Sequence, residues 1–106
     1  MFTYKDVKQH NDDREYVMQA IKQEGTLLDG ASDRLKDDKE LVMEAVKNDG
    51  GALEFASNRL KADREILMQA VEKKGWVLCY ASEELKNDKE LALKKKKTDG
   101  QILYYV

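Results

Sequence analysis

A 25-residue sequence repeat constrains the fold of this chain more than any other feature. Full copies occupy residues 13–37, 38–62 and 63–87, and a partial fourth copy occupies residues 88–106. Ten of the 25 positions are identical in the three full copies, whereas unrelated segments of average composition would share about one at most. Residues 1–12 fit the frame poorly and are interpreted as a lead-in segment. No Pro/Ser-rich linker separates the copies, so we expect one domain.

The first half of each copy has the pattern of a short helix. Asp12 precedes Glu15 by three positions, which is typical of a capping box at a helix N-terminus, and equivalent pairs occur at Asp37 and Glu40 and at Asn87 and Glu90. The helix is predicted to stop at a recurring glycine, because glycine takes the left-handed C′ conformation without a Cβ penalty. These glycines are Gly25, Gly50 and Gly75.

The apolar positions of this helix are spread too widely for packing on one side only. At about 100° per residue they cover an arc of about 200°, wider than the stripe of a surface helix. A small residue recurs among them, at Ala20, Ala45 and Ala70. This pattern is typical of a stacked array, in which each copy packs on the copy before it and the copy after it.

The second half of each copy also carries a helical spacing. Leu28, Ala31 and Leu35 are three and four residues apart and would share one helical face. Ser32 lies within this segment, so the pattern fits either one continuous helix or a helix followed by a short Ser-capped turn. No window alternates polar and apolar residues as a strand would. We therefore predict an all-α fold of short helical-hairpin repeats of 25 residues, stacked as a small α-solenoid.

Three runs in the third copy resemble a known repeat. Residues 63–71 read D-R-E-I-L-M-Q-A-V, residues 75–78 read G-W-V-L, and residues 80–86 read Y-A-S-E-E-L-K. In this order they resemble the helical repeat family described as domain of unknown function 4116, and the resemblance extends over residues 13–100. It implies a small helical repeat with no assigned activity and with no catalytic residues to carry over. The last copy departs from the pattern, because lysines replace apolar residues there.

Composition and targeting signals narrow the function classes. The formal net charge is −2, which argues against a globally basic nucleic-acid-binding protein. No run of 18 apolar residues is present, and the N-terminal residues lack the apolar block of a secretory signal. The single cysteine, Cys79, excludes an intramolecular disulfide and suits a reducing compartment. We expect an intracellular, cytoplasmic chain.

The residue types of an active site do not converge in this sequence. His10 is the only histidine and lies outside the clear repeats, so it is interpreted as a surface residue. Cys79 lacks a nearby base in the sequence and is interpreted as a plain thiol. We predict no catalytic residue, no metal site and no cofactor, and therefore no enzyme.

Positions that vary between copies predict a binding face. Trp76, Tyr80 and Phe55 would form an aromatic strip edged by Glu54 and Glu83, and aromatic anchors with a charged rim are typical of protein interfaces. In the alternative interpretation, Phe55 and Tyr80 are core residues that bridge successive copies. The predicted function is a protein-binding scaffold with an unknown protein partner.

Lys94, Lys95, Lys96 and Lys97 form the most unusual segment. Lys95 and Lys96 stand where earlier copies have apolar core residues, and two unpaired buried ammonium groups would be costly. Three interpretations remain open: a polar terminal cap, a decayed copy, or a site for an anionic ligand. The last gives the alternative function, binding of nucleic acid or a membrane surface.

The final residues, Ile102–Val106, are mostly apolar. They would dock on the third copy, mediate self-association, or present the terminal carboxylate to a groove in a partner.

Overall fold

The computed structural model describes residues 1–81 and 83–98, and within these ranges the side chains of residues 83 and 94–98 are left undescribed. The α-helices are α1 Tyr4–Gln9, α2 Arg14–Gln23, α3 Asp33–Lys36, α4 Lys39–Asn48, α5 Asn58–Lys61, α6 Arg64–Lys73, α7 Glu83–Lys86 and α8 Lys89–Thr98. Within the described residues, three 3₁₀ helices lie at Gly25–Gly30, Gly50–Phe55 and Gly75–Tyr80. The described residues contain no β-strand, so the all-α repeat fold is confirmed.

Each full copy consists of a ten-residue α-helix, a six-residue 3₁₀ helix and a four-residue α-helix. The second half is therefore not one continuous helix. Ala31 has an extended backbone that separates the first 3₁₀ helix from α3. The hydroxyl of Ser32 then caps α3 by accepting a hydrogen bond from the Leu35 amide at 3.3 Å, and Ser57 caps α5 in the same way.

The N-terminal caps of the long helices lie one residue later than the capping-box pattern predicted. Asp13, not Asp12, is the N-cap of α2, and its carboxylate accepts a hydrogen bond from the Tyr16 amide at 3.1 Å. Asp38 and Asp63 cap α4 and α6 in the same way. The acidic residue before the first two of these caps, Asp12 or Asp37, is therefore free to contact another part of the chain.

The recurring glycine is needed for close packing, and the prediction of a left-handed helix stop is wrong at Gly25 and Gly50. Neither has a positive φ angle, and α2 has already ended at an extended residue, Glu24. A Cβ atom at Gly50 would lie 2.6 Å from the carbonyl oxygen of Ala70 in the next copy. Gly25 has the same relationship with the carbonyl of Ala45.

The core runs through the stack as two layers. The long helices α2, α4, α6 and α8 pack side by side in one layer, and the three 3₁₀ helices pack side by side in the other. Ala20, Ala45 and Ala70 are fully buried between successive long helices, as their recurrence predicted. The wide apolar arc is thus buried by neighbours on two sides.

Ion pairs join each long helix to the next, and we call this series the charge ladder. The first residue of α2, α4 and α6 is basic, and it reaches the N-cap aspartate and a first-turn glutamate of the next long helix. The rungs are Arg14 to Asp38 and Glu40 at 2.7 and 3.1 Å, Lys39 to Asp63 and Glu65 at 3.1 and 3.7 Å, and Arg64 to Asp88 and Glu90 at 3.1 and 2.7 Å. The arginine beside Asp38 lowers the pKa of that carboxyl group.

A second polar contact, which we call the clamp, joins the short helix of a copy to the segment before its long helix. Ser32 Oγ and Arg34 Nε donate to the carboxylate of Asp12 at 2.7 and 2.9 Å. These hydrogen bonds, that from Ser32 first, lower the pKa of Asp12. An equivalent clamp joins Ser57 and Arg59 to Asp37.

The lead-in segment covers part of the first copy. The side chain of Val7 in α1 is fully buried, and a Cβ atom on Gly30 would lie 3.1 Å from it. The ring of Phe2 meets the ring of Tyr16 edge to face with centroids 5.1 Å apart. His10 is exposed and stacks on the same tyrosine at 4.2 Å.

Candidate protein interface

The third 3₁₀ helix presents the most exposed aromatic group of the predicted strip. The Trp76 side chain is 47% exposed, and Tyr80 on the next turn is half-buried. Their ring centroids are 5.8 Å apart and the ring planes are inclined by 70°, an edge-to-face arrangement. Two residues between them, Val77 and Leu78, are buried in the core and hold this turn in place.

The indole of Trp76 reaches a glycine of the second copy. Trp76 Cη2 lies 3.8 Å from the position that a Cβ atom on Gly51 would take. Gly51 and Trp76 occupy the same position in successive copies. The far edge of the tryptophan ring therefore contacts its own equivalent in the preceding copy, while Trp76 remains 47% exposed.

Phe55 and Tyr80 are both half-buried and pack against the hydrophobic core. They contact the core and keep an accessible edge, so they combine features of the two interpretations of the sequence. Burial, followed by the negative charge of Glu54, raises the pKa of Tyr80. Lys61 places its Nζ atom 5.9 Å from the centroid of the Tyr80 ring.

The strip is thus edged by charges of both signs. Glu54 is exposed on the second 3₁₀ helix, as the sequence analysis expected of a rim residue. The side chain of Glu83 lies outside the description. Sequence reasoning missed Lys61 and Gly51, although the contrast between a glycine and a tryptophan at one repeat position was a signal for the second.

The structure describes only part of the lysine run and none of the last residues of the chain. The backbone of residues 94–97 belongs to α8, whereas the side chains of Lys94, Lys95, Lys96 and Lys97 lie outside the description. The segment Ile102–Val106 also lies outside the described residues.

In the part of the chain that the structure describes, no three His, Cys, Asp or Glu side chains are grouped so that they could hold a metal ion. His10 lies at the lead-in end of the stack, whereas Cys79 is exposed in the third copy.

No described helix combines the length and the apolar character that crossing a lipid bilayer requires.

Comparison with known proteins gives one family match. A family model described as "Domain of unknown function (DUF4116)" matches residues 13–61 and 63–106. This confirms the resemblance drawn from the motifs of the third copy. No curated protein and no solved structure matches the chain.

Proposed function

We propose that this chain, which belongs to the DUF4116 family, is a non-enzymatic scaffold that binds a protein partner through the aromatic strip. The observation that carries the proposal is the exposed indole of Trp76, whose far edge contacts Gly51 and whose ring meets that of Tyr80 edge to face. Tryptophan and tyrosine are enriched among the residues that dominate binding energy at protein interfaces.

The stacked repeats hold the rings of the aromatic strip in a fixed position. Trp76 and Tyr80 project from a turn whose neighbours Val77 and Leu78 are buried. Little side-chain freedom is lost when a partner covers rings that are already held in place, so more of the burial energy contributes to affinity. The mixed charges of Glu54 and Lys61 beside the strip provide a polar rim.

A binding role also suits the distribution of reactive groups. His10 stacks on Tyr16 at the lead-in end, and Cys79 belongs to the third copy, so the two do not form a nucleophile and base pair. We assign the scaffold to the cytoplasm because its only cysteine suits a reducing compartment.

The test begins with affinity capture from native lysate on the wild-type chain, followed by titration of the captured protein against purified variants. Replacing Trp76 by Ala is expected to weaken binding by about tenfold or more, the effect of losing an interface anchor. The matched control is Tyr4→Ala, because Tyr4 is an aromatic residue of equal exposure, 47%, on α1. This control is expected to leave the affinity unchanged.

Salt dependence distinguishes the alternative function. Binding through the strip should tolerate added salt, whereas binding to phosphates weakens steeply as salt rises. The opposite result would contradict the protein-binding proposal and favour an anionic ligand. In that case Trp76→Ala would leave the affinity unchanged, and the affinity would fall steeply with salt. It would also be lost on replacing Lys94, Lys95, Lys96 and Lys97 by Ala.

A further inference from the structure

We infer that the face of α8 that carries Lys89 and Leu93 is a docking surface for a second copy of this chain. It would contact the face of α2 in that copy that lies beside Asp13 and Glu15, so that the two copies are arranged head to tail. The surface is separate from the aromatic strip, so this inference does not depend on the proposed function. It rests on the charge ladder and on the exposure of one leucine.

Lys89 continues the series of bases in the charge ladder. Like Arg14, Lys39 and Arg64, it is the first residue of a long helix. Each of those three residues reaches the aspartate immediately before the next long helix. Lys89 is exposed and has no carboxylate within ion-pairing distance among the described residues. Among the described residues, Lys89 is therefore the one base of the series without a carboxylate partner.

Leu93 shows that the same side of α8 also lacks its apolar cover. It is 51% exposed and lies four residues after Lys89, so the two side chains share one face of the helix. Met68 occupies the equivalent position in the preceding copy and is half-buried against the core. The additional exposed surface of Leu93 relative to Met68 is the surface that a following long helix would cover.

The complementary half-rung lies at the other end of the stack. Asp13 and Glu15 form the same Asp-x-Glu pattern that receives a base at every internal junction. Both are exposed, and within the described ranges no basic side chain pairs with either of them. Because α1 packs mainly on the first 3₁₀ helix, a shallow groove of about 270 Å³ remains beside α2. Its lining is Phe2, Asp13, Glu15, Tyr16 and Gln19.

A second copy carries the full complement of this surface. Its Asp13 and Glu15 would receive Lys89, and its groove beside Tyr16 would receive Leu93. Such an interface joins two different surfaces, so each copy keeps one open end and association continues into short chains of molecules. Opposite charges set the direction and register of the contact.

The experiment measures association by sedimentation equilibrium of the purified chain over a range of concentrations at low salt. Wild type is expected to show an average mass that rises with concentration. Lys89→Glu and Glu15→Lys are each expected to weaken association at least tenfold, because each places like charges across the junction. Added salt should weaken wild-type association as well.

Mixing the two variants provides the decisive arm. In a mixture of Lys89→Glu and Glu15→Lys, the glutamate introduced at position 89 of the first variant would face the lysine introduced at position 15 of the second. Lys89 of the second variant would in turn face the unchanged Asp13 and Glu15 of the first. Association is therefore expected to return to near the wild-type level. Lys47→Glu serves as the control, since it makes the same charge change at an exposed position outside the charge ladder.

Each other outcome overturns the inference. A wild-type chain that stays monomeric up to about 1 mM has no useful affinity for itself. Association that persists in both single variants occurs through another surface, such as the segment Ile102–Val106. Variants that fail to associate even when mixed show that the two charges do not meet. Far-UV circular dichroism of each variant verifies that the helices are intact.

Discussion

Arg34 lies against Asp12 although 22 residues separate them in the chain, with 2.9 Å between Nε and the carboxylate oxygen. The same contact recurs between Arg59 and Asp37. At the third junction the equivalent positions hold Ala62 and Glu84, so both members of the ion pair have changed together. The stack therefore has two clamped junctions and a third whose arginine and aspartate are missing.

Restoring the missing pair is expected to stabilise the chain. The double variant Ala62→Asp with Glu84→Arg should raise the melting temperature by a few degrees, because the guanidinium and carboxylate can meet as at the other junctions. Thermal denaturation followed by circular dichroism measures the effect. Ala62→Asp alone places a carboxylate near Glu84 and should give no gain. Equal effects of the single and double variants would show that the two positions are not coupled.

Two adjacent glycines are expected to respond differently to alanine. Gly50→Ala should lower the free energy of unfolding by about 1–3 kcal/mol, because the new methyl group would overlap the carbonyl oxygen of Ala70. Gly51→Ala is the control. Its Cβ atom would meet Trp76 at 3.8 Å and Asp49 Oδ1 at 3.2 Å, a milder contact than that of Gly50 with backbone, so a smaller loss than that of Gly50→Ala is expected. Urea denaturation measures both, and similar losses would contradict the close-packing role of Gly50.

A charge placed at the recurring alanine should unfold the array. Ala45 is fully buried between α4 and its neighbours, so Ala45→Asp would bury a carboxylate without a partner. We expect this variant to be unfolded already at 25 °C and to show no cooperative transition on heating, since penalties of this kind exceed about 3 kcal/mol. Ala62→Asp, at an exposed alanine, should keep the transition. A cooperative melt in the Ala45 variant would show that this position is accessible to water.

The ion pairs of the charge ladder make the folding stability depend on pH in the acidic range. The pKa of Asp38 is lowered in the folded state by its hydrogen bond with Arg14, and that of Asp88 is lowered by Arg64. The unfolded chain therefore binds protons more readily, starting near the usual pKa of 3.8. Stability from these pairs is complete above that value and is lost as the pH falls through the lower folded values.

Melting temperatures measured from pH 7 down to about pH 2 provide the test. Arg14→Met keeps the aliphatic length but removes the charge, so its melting temperature should fall less steeply in acid than that of the wild type. Identical profiles would show that the rung at Arg14 does not contribute to the acid dependence.

The parts of the fold that the sequence predicted are those that depend on local pattern. Ala20, Ala45 and Ala70 recur within a wide apolar arc, and a helix buried on two sides is the direct consequence. The role of Ser32 as a cap also followed from local chemistry, although the sequence left one continuous helix equally open.

The errors concern residues whose partners lie in another copy. Asp12 has the local pattern of a cap, but its carboxylate is engaged by Ser32 and Arg34. Of the candidate interface, Trp76 could be identified because its position varies between copies. The contact of Lys61 with Tyr80 could not, since it depends on how two successive copies are stacked.

The amino-acid sequence by itself determined the period of the array, its helical character and the residues that face inward, because each of these follows from spacing along one chain. Only the tertiary structure decided why Gly50 must lack a side chain and which carboxylate each base meets. Those answers depend on the distance between neighbouring copies, which is set when the apolar faces of the long helices close on one another.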